Sequence, residues 1–290
     1  MAGRRELRLP RMRSRSFAVV CAVVLALCGA LAAAFRASLT DYNAHPDALA
    51  ALPVSLGGRA VEPLLSKDEF ETALREMADD GVEMNELDYL GLVSRVPADV
   101  AERAPVVVIG TFTGARRYVY QAFKCEVELT EVIRGEGLAA SDVISVYERA
   151  QITDGAESSL TGMGMFGPDR ELWWGDGRPP LREGQEYLFL LRPKVASSDV
   201  EDSTYCAVSS LYGWIATDAP EHPERVRVSQ VTERVEVLPD GSTATFYDVD
   251  ALPFSELAQY DFLAVDEASK AQYLANCEAL LATALSVQTS

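Results

Sequence analysis

Residues 162–167 read GMGMFG, the G-x-G-x-x-G spacing that lets a backbone approach a pyrophosphate held at a helix N-terminus. That chemistry needs a strand before the glycines and a long helix after them. Upstream stands DGAESSL, which is no buried strand. Downstream come Pro168 and DRELWWGDGRPP, which cannot form the crossover helix. No nucleotide and no dinucleotide cofactor is therefore expected. The stretch 153–185 reads instead as one long loop between strands, and loops of that length often bind something. Its rings Phe166, Trp173 and Trp174, with Tyr212 and Trp214 further on, could stack on the apolar C–H faces of sugars. Asp169 and Asp176 could accept the hydroxyls. The competing reading folds the tryptophans back to cap the domain. The expected ligand-binding residues are Phe166, Trp173, Trp174, Asp176 and Trp214.

Catalytic groups are sparse. Of two histidines, His45 lies in a spacer and His222 in the turn DAPEHPERV. A Ser–His–Asp site would need His222, and no G-x-S-x-G elbow supplies the nucleophile. A Cys–His pair would need Cys125, Cys206 or Cys277, all at positions that read as buried. A pair of carboxylates acting on a glycoside stays open, because acids are abundant. No C-x-x-C and no D-x-D-x-D-G loop occurs, so no metal is expected. Cys125 and Cys206 both fall in expected strands and are the most plausible disulfide in an oxidising compartment, with buried free thiols as the alternative.

The N-terminus decides the compartment. Residues 1–16 hold six Arg and one Glu, and residues 17–35, FAVVCAVVLALCGALAAAF, hold no charge. A helix of that length nearly spans a hydrocarbon core of about 30 Å. The arginines stay cytoplasmic, so the rest is exported. The segment is expected to remain as a single-pass transmembrane anchor, the alternative being secretion after cleavage near Ala32 or Ala34. Beyond residue 36 the chain carries 19 basic and 43 acidic residues, net −24. Such a surface repels nucleic acid and suits a soluble exported domain.

Residues 36–65 mix Pro, Gly and polar residues without a period and read as a linker. A helical segment follows over 66–104. Ser66 and Glu69 form a capping box, Phe70, Leu74 and Met77 share one face, a second helix is expected within 85–96, and a short turn of helix lies between Pro97 and Pro105. From Pro105 the period changes to two. In FKCEVELT, Phe123, Cys125, Val127 and Leu129 face one way and charged residues the other, with a bulge expected at EVIRG. VVVIGTFTG, DVISVYE, EYLFLLRP, TYCAVSSL, GWIATD and RVRVSQV read as strands, and Pro239-Asp240-Gly241-Ser242 as the turn of a hairpin. A β-domain over 105–250 is followed by a helical cap over 251–290, with Leu274, Cys277, Leu281 and Ala284 as its packing stripe.

The succession APVVVIGTFTG, CEVELTEVIRGEG, VISVYE, PPLREGQEYLFLLRP and YGWIATD, residues 105–218, resembles a group of exported or membrane-anchored bacterial proteins with small OB-like β-barrels. The resemblance implies turns at Gly110, Gly135 and Gly184 and a core at Tyr187 to Leu191, and it carries no catalytic residue. The expected fold class is α+β: an antiparallel OB-like β-barrel flanked by N-terminal and C-terminal helices, behind an N-terminal transmembrane helix. The expected function is non-enzymatic binding at the cell envelope, to a glycan or a protein partner. The alternatives are a carbohydrate-active hydrolase using paired carboxylates and a structural or assembly protein.

Overall fold

The computed structural model describes residues 19, 21–30, 42–55, 58–79, 95–119, 122–153, 171–174, 178–194, 204–229, 232–237, 242–248 and 251–286. The chain divides into two units, Met1–Pro46 and Asp47–Ser290. In the first, residues 21–30 are helical, and Val23, Val24, Leu25 and Leu27 are exposed. Among the described residues no helix is long and apolar enough to cross a membrane. The remaining positions of the expected span 17–35 lie outside the described residues.

The second unit is a mixed α+β assembly. Its helices are α1 (Pro46–Ala50, which begins on the boundary), α2 (Lys67–Asp79), α3 (Val100–Arg103), α4 (Phe254–Leu257) and α5 (Glu267–Ser286). Its early strands are β1 (Pro53–Ser55), β2 (Val106–Val119), β3 (Ala122–Arg134), β4 (Val143–Thr153) and β5 (Glu171–Trp174). Then come β6 (Glu186–Pro193), β7 (Thr204–Ala207), β8 (Trp214–Ala216) and β9 (Val226–Val228). The last four are β10 (Thr232–Val237), β11 (Thr243–Asp248), β12 (Ala251–Pro253) and β13 (Phe262–Ala264). Nine strands share one sheet in the order β12-β1-β5-β4-β3-β2-β6-β7, with β8 beside β6. β4 also pairs β7 in parallel, through Ser145–Thr204, Val146–Tyr205 and Tyr147–Cys206.

The period-two reading of β3 holds residue by residue. Phe123, Cys125 and Val127 are fully buried and Leu129 is 1 % exposed, while Glu126 and Glu128 face water. The expected irregularity at EVIRG is present as register shifts: Val108 pairs Val132 and Val107 pairs Arg134, leaving Ile133 unopposed. A larger shift sits between Phe112 and Arg116, where Thr113, Gly114 and Ala115 oppose Glu126 alone. Gly114 takes φ +89°, a backbone state that residues with a Cβ avoid. β6 shows no alternation. Tyr187 to Leu191 are all at most 5 % exposed, because both of its faces are covered.

Three expectations need correction. Residues 47–65 are not a linker. Val54 in β1 is 1 % exposed and sits between β12 and β5, and Gly58 and Arg59 hydrogen-bond to Ser229 and Leu263. A Cβ on Gly58 would collide with the carbonyls of Ser229 and Ala264, so the backbones meet there without room for a side chain. The loop 153–185 is interrupted by β5, which pairs β4. The buried face of α5 is Tyr273, Cys277, Leu280 and Ala284, not the stripe through Leu274 and Leu281. Tyr273 fixes that rotation by stacking on Phe262 at 4.2 Å and on Tyr212 at 5.8 Å. The capping box is formed as read, with Ser66 N donating to Glu69 Oε2 at 2.8 Å. The expected helix within 85–96 falls almost entirely outside the described residues.

α3 ends against β3. Arg134 donates from one guanidinium nitrogen to the carbonyls of Ala101, Glu102 and Ala104, at 3.3, 2.6 and 2.8 Å. A cation at a helix C-terminus satisfies carbonyls that lack intrahelical partners. Arg134→Met should lower stability by about 1.5–3 kcal/mol, read as a lower urea midpoint at unchanged slope.

Candidate functional site

The pleat that buries β3 also aims β4. Ile144, Val146, Glu148 and Ala150 alternate inward, so the same period that hides two hydrocarbons hides a carboxylate. Glu148 is 0 % exposed. On β2, Arg116 pairs Cys125 in register, and Cys125 pairs Val146 on β4. The inward positions of three strands thus bring together Arg116, Cys125 and Glu148.

The contacts are complete. Glu148 Oε2 accepts from Arg116 Nε at 3.0 Å and from the Cys125 thiol at 2.9 Å. Its Oε1 accepts from the Leu181 amide at 2.5 Å. Arg116 donates its second bond to the Leu181 carbonyl at 2.7 Å. Its guanidinium lies over Phe112 at 4.7 Å, Phe254 at 5.3 Å and Phe123 at 5.6 Å. A buried cation ringed by aromatic faces and paired with a carboxylate is electrostatically well served. The pair grips both backbone groups of Leu181, the residue through which the chain returns from the 154–177 stretch into β6. Burial opposes the charge on Arg116, and Glu148 and Cys125 together more than offset it, so the guanidinium pKa is raised. Burial and then the Glu148 charge push the Cys125 thiol well up.

This arrangement settles the chemistry open to Cys125. A neutral, buried thiol that donates to a carboxylate is neither a nucleophile nor a ready ligand. Neither Cys125 nor Cys206 is in a disulfide. The expected disulfide between them is not formed: they lie on β3 and β7, on either side of β4, and Cys125 turns to Glu148. Cys277 is buried on α5, and burial raises its pKa too. Native protein should leave Cys125 and Cys277 unlabelled by an aromatic disulfide reagent, with both reacting once urea unfolds the chain. Rapid native labelling of either would contradict their burial.

A second network ties the corner after β8 to the rest. Asp261, its side chain 4 % exposed, lies 3.1 Å from Arg182 Nη2 and 2.9 Å from Arg225 Nε. Arg225 also holds Asp218, and Gln185 donates to Asp218 at 2.9 Å. Burial lifts the Asp261 carboxyl pKa although both arginines oppose it. Burial also works against ionised Asp218, but hydrogen bonding to Arg225 brings its pKa below the usual range. His222 stands at the rim, 2.9 Å from Glu224 and 3.6 Å from Asp218. Its partners are carboxylates, the wrong set for a serine or cysteine nucleophile.

The sequence-derived ligand residues scatter. Phe166, Asp169 and Asp176 lie outside the described residues. Trp173 and Trp174 are in β5, in register with Gln151 and Ala150 of β4, and Trp173 also faces Ser55 of β1. Trp214 is 3 % exposed, and the Arg178 guanidinium lies over its ring at 3.4 Å. Trp214 and Tyr212 are core residues, not open stacking platforms. His45 is exposed in the first unit. Among the described residues no cluster of three or more His, Cys, Asp or Glu is arranged to hold a metal ion.

An open groove of about 430 Å³ runs along α2, lined by Glu62, Leu65, Asp68, Glu69, Glu76 and Arg95 among others. Arg95 and Glu62 are 3.6 Å apart across it. The hydrogen bonds from Ser66 hold the Glu69 carboxyl below its usual range, as a capping box does. The groove is acidic, and its best-defined carboxylate already serves the helix end.

Sequence reasoning missed the Arg116–Glu148 pair. Its signal was in the strand phase. Glu148 follows Ile144 and Val146 in steps of two, so the alternation that marked the strand also placed the acid inside. No known protein family matches the chain, and no curated protein matches it.

Proposed function

We propose that the chain is a membrane-anchored extracytoplasmic binding protein built on an OB-like barrel, with its contact surface at the 154–177 stretch and the neighbouring strand ends. The observation that carries this reading is the order of strand pairing. From β4 the pairings pass through β3, β2, β6 and β7 and return to β4, with β4–β7 the one parallel step. In order of appearance along the chain the strands run 1-2-3-5-4 around that circuit. Small five-stranded barrels of this type bind through one face and its adjoining loops. A fold alone licenses no ligand, so the choice of surface rests on the clamp at Leu181. Two buried charges are spent on fixing the point where the long stretch rejoins β6.

The compartment follows from the leader, seven Arg and one Glu in residues 1–36 around an uncharged run. Binding rather than catalysis is favoured by how the interior charges are used. Glu148, Arg116, Asp261 and Arg225 each bond to groups of the chain itself. A glycan or a protein partner at the envelope fits this surface, and the net −24 of residues 37–290 disfavours nucleic acid.

The test is a thermal-shift screen of the full chain in detergent, against cell-wall glycan fragments and against basic and neutral peptides. A rise in Tm with one class, lost in Trp173→Ala/Trp174→Ala, is the expected result. A shift that survives the double substitution would move the binding surface elsewhere. Turnover of a glycan in the same samples would replace binding with hydrolysis.

A further inference from the structure

The hairpin β10–β11 stands apart from the main sheet. Its six residue pairs run from Thr232–Asp248 to Val237–Thr243, and among the described residues neither strand pairs with any other. A lone two-stranded hairpin is marginal in water, and three or more strands with a covered face are needed for independent stability. This one also carries Val235 at 62 % and Val237 at 73 % exposure, two residues apart and therefore on one face. Unpaired backbone on an edge strand is a template for another strand, and proteins normally blunt such edges with charge.

The charges on β10 do something more specific. Its sequence is Thr232-Glu233-Arg234-Val235-Glu236-Val237. Consider two copies of β10 side by side, antiparallel, about a two-fold axis through Val235. Arg234 of each copy then falls opposite Glu236 of the other, twice, and Val235 falls opposite Val235. The neighbouring registers that keep opposed side chains on one face centre the axis on Arg234 or on Glu236, and they put Arg234 opposite Arg234 or Glu236 opposite Glu236, like against like. Opposite charges directly across a pair stabilise it and like charges destabilise it, each by roughly 0.2–1 kcal/mol. The Arg-Val-Glu triplet is therefore self-complementary in one register and selects against the neighbouring register on either side. The dimer sheet has four strands, and its Val235 and Val237 positions form one continuous apolar strip.

We propose that β10 docks on β10 of a second copy of this chain, antiparallel about a two-fold axis at Val235, giving a continuous four-stranded sheet. A symmetric pairing of this kind is isologous and closes at two copies. The opposing factor is the net −24 of residues 37–290. At physiological ionic strength charges more than about 8 Å apart are largely screened, so repulsion is felt mainly in low salt. The pairing rests on the hairpin alone and is independent of where the domain resides.

The test is cysteine cross-linking of the full chain in detergent, in a Cys21→Ser/Cys28→Ser background. At the axis the two Val235→Cys residues have Cα atoms about 4.5–5.5 Å apart, within disulfide range. The two Val237→Cys residues are four strand positions apart, about 13–14 Å at 3.4 Å per residue, although Val237 is the more exposed side chain. Mild oxidation should give a covalent dimer with Val235→Cys and at least tenfold less with Val237→Cys. Adding Arg234→Glu or Glu236→Arg to Val235→Cys should abolish the dimer, and the two together should restore it. Equal cross-linking at both positions, none at Val235, or no rescue by the double reversal would each overturn the proposal. Thermal melts of every variant separate loss of pairing from loss of fold.

Discussion

Arg116→Met should destabilise the second unit by about 3–5 kcal/mol, among the largest effects of any single substitution in the chain. The reason is less the lost attraction than what remains. Glu148 is fully buried, and without Arg116 its charge keeps the Cys125 thiol and the Leu181 amide but no cation. Breaking one partner of a buried pair costs about this much because the other is left uncompensated. A typical domain is stable by about 5–15 kcal/mol, so the variant approaches unfolding at ordinary temperature. Removing both charges together, Arg116→Met with Glu148→Leu, should recover most of the loss, since hydrophobic replacement of a buried pair is often neutral. Cys125→Ala should cost less, because Glu148 keeps Arg116 and the Leu181 amide. Urea unfolding followed by tryptophan fluorescence measures all three. A single-mutant loss below about 0.5 kcal/mol would mean that water already reaches the pair.

Removal of residues 47–65 should have a comparable effect, although the sequence there reads as spacer. Leu52, Val54 and Val61 are buried, and each such side chain contributes about 1.5–3 kcal/mol. β1 also bridges β12 and β5, so its loss leaves β12 unpaired and β5 held by β4 alone among the described strands. Asn276 on α5 donates to the Glu62 carbonyl at 2.9 Å, which ties the C-terminal helix to the same segment. A chain starting at residue 47 should melt cooperatively, and one starting at residue 66 should show no cooperative transition. Val54→Asp in the whole chain checks the cause. It should lower the melting temperature steeply by placing a charge at a position 1 % exposed.

Strand identity was legible wherever one face met water. β3 announces itself by alternation, and β6, β7, β8 and the β10–β11 hairpin fall where their composition places them. Of the three-residue strands, β8 and β9 sit inside longer strand-like runs, whereas β1, β12 and β13 did not announce themselves. A run of three gives a period no chance to show, and PVS, ALP and FLA become strands only because partners distant in sequence supply the hydrogen bonds. α5 was visible as a helix but its face was not. It carries alanine and leucine nearly all round, and stacking of Tyr273 on Phe262 chooses the rotation. Trp214 shows the same limit for the site. Its type suggested an exposed platform, but partners that sequence alone does not reveal, Arg178 and the β6 strand, put it in the core. Glu148 is the converse case, since its phase marks it as buried and only its charge argues otherwise.

The proposed export of the acidic domain underlies the whole functional reading, and one topology experiment reaches it directly. Cells with an opened outer envelope and an intact cytoplasmic membrane are treated with added protease, and the chain is followed with one antibody to residues 1–16 and one to the C-terminus. The account predicts that the C-terminal signal disappears from the cell surface while a short arginine-rich fragment survives inside. A full-length chain that resists the protease and fractionates with the soluble cytosol would contradict it.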